Sequence, residues 1–103
     1  MAPLTTDRIR HGVVFRLKHP SGSDGERDFL DALRALAAIP GVEEFELARE
    51  VSPKNEFAFA LTMEFADRAA YEAYNSHPDH TGFVEGRWVP EVEDFLEIDA
   101  AAL

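Results

Sequence analysis

The sequence predicts one α+β domain, in which a ferredoxin-like antiparallel sheet of four strands carries its helices on one face. Two kinds of pattern lead to this fold class. Four segments alternate large apolar residues with polar or small ones, which is the period of a strand, and two others repeat apolar residues at helical spacing. Their order is β-α-β-β-α-β, with a further short helix before the last strand, and this is the split arrangement of ferredoxin-like domains.

The first half of the chain is predicted to fold as strand, helix and strand. Residues 11–18 alternate as one strand does. Ser23 to Glu26 has the pattern of a capping box, in which a side-chain oxygen accepts a free helix N–H and the Glu reaches back. The helix that follows ends at Pro40-Gly41, and residues 42–51 form the second strand. The apolar face of that strand consists of Phe45, Leu47 and Val51.

Residues 56–65 are the clearest strand of the chain. Large apolar side chains alternate there with small and mostly apolar ones, which is typical of a strand covered on both faces. The bulky set is Phe57, Phe59, Leu61, Met63 and Phe65. The preceding residues, 52–55, form a turn.

The last third is predicted to hold two helices and a strand. Asp67 can cap the first helix, which ends at the Asn75-Ser-His-Pro78 segment. Pro78 suits the first turn of a short helix that reaches about Gly86. Residues 88–90 are interpreted as a connector, and residues 92–99 as the final strand.

The composition indicates a single small domain. The chain has 103 residues, 46% of them hydrophobic, with eight Phe and no Cys. We expect a domain over residues 10–99, a flexible N-terminal arm over 1–9 and a C-terminal tail over 100–103. Without cysteine, disulfides and thiolate catalysis are excluded. No apolar leader or membrane-length segment is found, which predicts a cytoplasmic protein.

The charge and the apolar content make predictions about partners. The formal net charge is −10, with no Lys/Arg cluster of the kind that nucleic acid or an anionic membrane attracts, so neither is expected as a partner. The strands offer more large apolar side chains than two short helices can cover, and each is worth about 1.5–3 kcal/mol when buried. We therefore predict that two sheets pack together in a symmetric homodimer.

Three segments resemble the stress-responsive A/B barrel (Dabb) family. The His11 to Lys18 strand is similar to the family's opening His-x-Val-x-Phe-x-Leu-Lys, and Ile39-Pro-Gly-Val42 resembles the link from its first helix to its second strand. Tyr74 to His80 resembles its Tyr-x-x-His-Pro-x-His segment, and residues 92–99 fit its last strand. The resemblance covers residues 10–99 and implies a dimeric α+β barrel of two facing sheets.

The resemblance also implies candidate catalytic residues. A branch of this family contains small cyclases that close aromatic rings on linear polyketide chains, and there the Tyr and the last His of the segment carry catalysis. By position these residues are Tyr74 and His80. A His with a pKa of about 6.5 can remove a proton next to a carbonyl, and a neutral Tyr can stabilise the enolate oxygen. Such chemistry needs neither a metal nor an organic cofactor, and we expect none.

Other residues are expected to line the same site. His11 and His77 are interpreted as orienting or pocket-lining groups, and Phe29 and Leu33 as substrate-binding residues that set the pocket's length. Trp88 could fill or shape the cavity. Each candidate also has a structural interpretation: the histidines could cap a helix or bond a backbone carbonyl, and Tyr74 could be a core aromatic residue.

Three functional hypotheses stay open at this stage. The first is a dimer that binds a small organic molecule near His80 without turnover. The second is a lyase or cyclase that uses His80 as base and Tyr74 as oxyanion donor, and the third is a cofactorless monooxygenase by fold analogy alone. A metal at His77-x-x-His80 would need further ligands such as Asp79, so no metal is predicted. Loops 19–25 and 52–55 either gate the site or only connect strands.

Overall fold

A computed structural model describes residues 3–103 and contains one antiparallel sheet of four strands in the order β2-β3-β1-β4. The strands are β1 (Ile9–Leu17), β2 (Glu43–Arg49), β3 (Phe59–Phe65) and β4 (Val92–Ala101). The helices are α1 (Asp24–Arg34), α2 (Arg68–Ser76), α3 (Pro78–Phe83) and α4 (Val89–Glu91), with a 3₁₀ turn at Ala35–Ala38 and a π-helical turn at Val84–Trp88. The predicted α+β ferredoxin-like arrangement is confirmed.

The two central strands carry the core face of the sheet. Alternate residues of β1 and β3 are buried, and the strands pair with Val13 opposite Leu61 and Phe15 opposite Phe59. Residues that face each other in antiparallel strands point to the same side of a sheet, so these rows form one continuous apolar layer. The helices and their connections cover it with Phe29, Leu33, Leu36, Ile39, Tyr71 and Tyr74.

Both predicted helix caps are present. The Ser23 hydroxyl accepts the backbone N–H of Glu26 at 3.2 Å, and the Glu26 carboxylate accepts the N–H of Gly22 at 3.1 Å. The Asp67 carboxylate accepts the N–H of Ala70 at 2.8 Å. Each cap satisfies a backbone donor that the helix itself leaves free, and is worth about 1 kcal/mol. These caps fix where α1 and α2 begin.

The two strands of the β2–β3 hairpin are shorter than predicted. β2 ends at Arg49 rather than at Val51, whose side chain is 80% exposed, and β3 begins at Phe59 rather than at residue 56. Side chains bind the backbone donors of the turn: Glu50 Oε1 accepts the N–H of Ser52, and Asn55 Oδ1 accepts that of Phe57. Because such local bonds compete with the ladder, the prediction of Val51 on the apolar face is wrong.

The segment before β4 is helical and not the predicted connector. It continues from α3 through the π-helical turn into α4, where Pro90 lies in the first turn. Pro90 has no N–H with which to extend the helical hydrogen bonding, and the segment ends one residue later at Glu91. The indole ring of Trp88 packs against Phe15, Phe29 and Phe95, with ring centroids 5.1, 6.2 and 5.5 Å away. This packing explains why the chain stays coiled against the core.

The edges of the domain extend slightly beyond the predicted bounds. Ile9 is buried and pairs with both Phe65 and Ala101, so β1 begins one residue inside the predicted arm and β4 includes two residues of the predicted tail. Arg8 of that arm pairs with Glu43 at 2.8 Å. Residues 1 and 2 of the arm lie outside the described part of the chain.

The face of the sheet that points away from the helices carries an apolar patch. Val14 lies opposite Ala60 on one side and Leu96 on the other, and Gly12 lies opposite Ile98. Leu96 and Ile98 are 52% and 56% exposed. We call these five residues the outer patch. In the part of the chain that the structure describes, no helix is long and apolar enough to cross a membrane.

Candidate functional site

A cavity of about 490 Å³ lies on the helix side of the sheet, beside β1 and β4. Its size suits a small organic molecule. The wall is formed mostly by apolar residues, together with the imidazoles of His11 and His80 and the phenol of Tyr74. The lining residues are His11, Val13, Leu33, Leu36, Leu61, Tyr74, Asn75, His80, Phe83, Val84, Trp88, Val89, Val92, Glu93, Asp94, Phe95 and Glu97.

His80 presents a basic nitrogen in a defined tautomer. Its Nδ1 atom lies 3.0 Å from the backbone carbonyl oxygen of Asn75. A carbonyl can only accept, so Nδ1 carries the hydrogen and Nε2 of the neutral ring keeps its lone pair. Burial lowers the pKa of His80, and the repulsion of His11 adds to this effect, although the bond to Asn75 and the charge of Glu97 oppose it. The ring is therefore neutral and able to accept a proton near pH 7.

Tyr74 lies next to His80 and keeps its proton. The two ring centroids are 4.4 Å apart, and Tyr74 is only 2% exposed. Burial raises the pKa of Tyr74 well above its ordinary value, and the charge of Glu97 raises it further. Among the described residues, every fully buried side-chain nitrogen or oxygen has a hydrogen-bond partner. The Tyr74 hydroxyl has no partner among these residues, so its oxygen is not fully buried. The hydroxyl is thus open to the cavity as a donor.

His11 belongs to a hydrogen-bonded triad that the sequence did not reveal. Its Nδ1 atom donates to Asp99 Oδ1 at 2.7 Å, and the Tyr71 hydroxyl donates to Asp99 Oδ2 at 2.7 Å. The same hydroxyl lies 3.0 Å from His11 Nδ1. Burial, followed by the bond to Asp99, raises the pKa of Tyr71. The antiparallel register of β1 and β4 pairs His11 with Asp99, and a single sequence does not define that register.

The remaining predicted site residues are divided between the cavity and its surroundings. Leu33 lines the cavity, whereas Phe29 is fully buried behind the wall and contacts Phe83 and Trp88. His77 does not line the cavity: its Nδ1 accepts the N–H of Asp79 at 3.1 Å and caps α3. His77 therefore has the helix-capping role that was its alternative interpretation. Trp88 lines the cavity, in a position where it can shape it.

Among the described residues, neither His77 nor His80 belongs to a group of three or more His and acidic side chains with the geometry of metal ligands. Within the described residues, the group with that geometry is His11, Glu97 and Asp99, whose ligand atoms lie within 4.8 Å of one another. The hydrogen bonds of His11 and Asp99 to each other and to Tyr71 account for these two side chains without an ion.

A polar network fastens one side of the cavity wall to the loop after β1. His19 Nε2 lies 2.7 Å from Glu91 Oε1, and Arg87 contacts both Glu91 and Asp28, the latter at 2.8 Å. Glu91 holds the pKa of Arg87 above its ordinary value, and Arg87 holds that of Glu91 below it. Loop 19–25 is thereby tied to the helical segment that carries Trp88.

Comparison with known proteins places these features in a family. The sequence model of the stress responsive A/B barrel domain, Dabb, matches residues 9–102. A Dabb family protein with a ferredoxin-like fold from Mesorhizobium loti MAFF303099 is 59% identical, with 93% of this chain and 97% of that chain covered and a TM-score of 0.90. Among curated proteins, none matches this chain.

More distant solved structures share the fold. A dimeric ferredoxin-like protein of unknown function from Thermobifida fusca YX is 24% identical, with a TM-score of 0.77 and coverage of 96% of this chain and 94% of that one. A hydroxynitrile lyase from Passiflora edulis is 18% identical, with a TM-score of 0.81 and coverage of 93% and 94%. The family match and the relative from M. loti together confirm the resemblance seen in the sequence: the chain belongs to the stress responsive A/B barrel (Dabb) domain family.

Proposed function

We propose that this chain is a homodimeric, cofactor-free Dabb domain that binds a small organic molecule in the cavity beside His80. The observation that carries the proposal is the cavity itself, which has a mainly apolar wall and two polar groups free to contact a ligand. These are the Nε2 atom of His80 and the hydroxyl of Tyr74. An apolar pocket with a few convergent polar groups is the usual form of a small-molecule site.

Two observations support the dimer. The outer patch leaves Leu96 and Ile98 half-exposed on an otherwise acidic molecule, and apolar surface of this kind is commonly covered by a partner. The T. fusca structure, which shares the fold, is described as dimeric. Two copies that meet through their outer patches would leave both cavities on the far sides of their sheets.

Binding at His80 is tested by a thermal-shift screen of phenols, aryl ketones and acyl-chain carbonyl compounds against the wild type and His80→Ala. A ligand that binds the folded state raises the melting temperature by mass action. We expect at least one compound to raise the melting temperature of the wild type and to lose most of this effect in His80→Ala.

The matched control for this screen is His77→Ala, which removes a histidine outside the cavity wall. Each shift is compared with the same variant without ligand, so the lost helix cap does not bias the result. Equal ligand shifts in His80→Ala and the wild type would contradict a site at His80.

A second candidate function is a cofactor-independent lyase or cyclase that performs aldol-type ring closure of a polyketide-like substrate. The tautomer of His80 and the free hydroxyl of Tyr74 favour it. His80 Nε2 would take a proton from the carbon next to a carbonyl, while the Tyr74 O–H would hold the enolate oxygen. The carbanion would then attack a second carbonyl carbon of the same chain and form the ring C–C bond, while the C=O π electrons move to the oxygen. The protonated His80 would return its proton to this alkoxide and leave a ring hydroxyl. The lyase from P. edulis has the same fold, which admits such chemistry without assigning it.

Proton abstraction can be tested before the substrate is known. In D₂O, the protein should accelerate the exchange of the methyl protons of acetophenone, measured by NMR, and His80→Ala should lower the rate by about 10²-fold or more. Because burial lowers the pKa of His80, the reactive neutral form persists below the ordinary His range. The rate should therefore hold from neutral pH down through about 6.5 and fall only at lower pH. A rate that already falls above pH 6.5, or that survives in His80→Ala, would contradict this role.

A further inference from the structure

The polar part of the cavity wall that comes from β4 is acidic. Glu93 and Glu97 line it, and Glu97 shares the inner face of the sheet with Val13 and Phe95. Asp94 also borders the cavity, but its side chain lies on the outer face beside Arg16. No lysine or arginine is found among the described lining residues. Asp99 follows on the same strand and bonds His11 behind the wall. This wall has no lysine or arginine that could bind a carboxylate or a phosphate. Its own carboxylates would repel such a ligand.

Neighbouring cations compensate only part of this negative charge. Arg16 pairs with Glu93 at 3.2 Å and reaches Asp94 at 4.0 Å, but it also pairs with Glu56 at 3.3 Å, so one cation serves three carboxylates. Among the described residues, Glu97 has His11 as its ion-pair neighbour, with Nδ1 at 3.7 Å, and this atom already donates to Asp99.

The charge of Glu97 acts on the reactive end of the cavity. The carboxylate raises the pKa of Tyr74, where burial has the larger effect, and it partly offsets the lowering of the pKa of His80 by burial. Its field therefore reaches both of the groups that are free to contact a ligand.

Aromatic rings lie beside these carboxylates. Trp88 and Phe95 meet edge to face with centroids 5.5 Å apart, and both line the cavity. An aromatic face attracts an ammonium group through its quadrupole, and an acidic neighbour adds to the attraction. The same rings also provide apolar contact for the body of a ligand.

We propose that this cavity selects aromatic or otherwise apolar molecules that carry an amine, accepts neutral ones less tightly, and discriminates against carboxylates and phosphates. The inference rests on the proposed function, because it specifies the ligand class of the same cavity. Glu97 is the residue that sets the preference at the end near His80, and Trp88 and Phe95 hold the ligand's ring.

The test uses three probes with one aromatic body: 2-phenylethylamine, 2-phenylethanol and phenylacetate. The chain has a single Trp, and it lines the cavity, so its fluorescence reports binding directly. At pH 7.5 and low salt we expect the amine to bind on the order of tenfold more tightly than the acid, with the alcohol between them. Raising the salt concentration should reduce the differences in affinity among the three probes, because Glu97 is partly exposed and salt screens its charge.

Glu97→Gln and Glu72→Gln provide the matched pair of variants, since Glu72 is exposed on α2 and outside the cavity. The ratio of amine to acid affinity should fall roughly threefold in Glu97→Gln and stay unchanged in Glu72→Gln. An acid that binds as tightly as the amine, or an equal fall in both variants, would overturn the charge preference and leave cavity binding intact. No fluorescence change with any of the three probes at millimolar concentration would overturn the proposed function itself.

Discussion

Tyr71 and Tyr74 lie one helical turn apart on α2 and are both buried, but their hydroxyls differ in function. The Tyr71 hydroxyl bonds the Asp99 carboxylate at 2.7 Å, whereas the Tyr74 hydroxyl opens into the cavity. A hydrogen bond to a charged group contributes about 1.5–3 kcal/mol, and less when the acceptor is partly exposed as Asp99 is. One phenol therefore stabilises the fold, and the other remains available to a ligand.

The corresponding prediction compares Tyr71→Phe with Tyr74→Phe. The first variant should lower the free energy of unfolding by about 1–2 kcal/mol, because it leaves Asp99 without one donor. The second should leave stability nearly unchanged and weaken the binding of carbonyl ligands. Urea denaturation and the thermal-shift screen measure the two effects, and each variant is the control of the other. Equal losses of stability would contradict the open hydroxyl of Tyr74.

Part of the site could be predicted at the residue scale and part could not. The Tyr74 to His80 segment is local in sequence, so its resemblance to the Dabb Tyr-x-x-His-Pro-x-His segment was enough to predict that both residues share a site, and both line the cavity. Asp99 and Glu97 lie more than 80 residues from His11 and reach it only through the register of β1 and β4, which a single sequence leaves undefined. His77 was misplaced because the same residue type also suits a helix cap.

At the scale of elements, alternation and capping signals predicted every strand and both longer helices, whereas competing local bonds decided their ends. Ser23 and Asp67 cap as predicted because a cap depends on three or four neighbouring residues. The hairpin shortened because Glu50 and Asn55 side chains bind turn amides. In the helical segment from Val84 to Glu91, residues 88–90 were predicted as a connector, and their helical state was missed because Trp88 holds them by long-range packing.

That segment yields a prediction about its anchoring by Arg87. Arg87→Met removes the contacts to Glu91 and Asp28, so residues 84–91 and loop 19–25 should exchange their amide hydrogens faster. The loss of global stability should be small, roughly 1 kcal/mol, because these ion pairs are partly exposed. Hydrogen exchange measured by mass spectrometry locates the effect.

Arg34→Met is the control for the anchoring, since Arg34 pairs only with Asp31 at an exposed position of α1 among the described residues. Its exchange pattern around the cavity should match the wild type. If both variants exchange alike in residues 84–91, the network does not anchor the wall.

At the scale of the whole molecule, the net charge opposes the association of two copies, whereas the outer patch favours it. A formal charge of −10 keeps copies apart over most of the surface, while the outer patch presents the apolar side chains of Leu96 and Ile98. We therefore expect association through this one face of the sheet. Since the cavity lies on the opposite face, the proposed dimerisation and the proposed ligand binding would use different sides of the same strands.

The prediction at this scale is that Ile98→Glu separates the subunits. A carboxylate there would have to be buried without a partner when two outer patches meet, which costs several kcal/mol. Sedimentation equilibrium should give about twice the 11.5 kDa chain mass for the wild type and a single chain mass for the variant. Val51→Glu is the control, because Val51 is an exposed apolar residue in a loop away from the outer patch and should leave the dimer intact. A wild type that sediments as a monomer, or an Ile98→Glu variant that stays dimeric, would mean that the outer patch is not the interface. If only the dimer is lost, Ile98→Glu should still bind the amine probe, because the cavity wall lies within one chain.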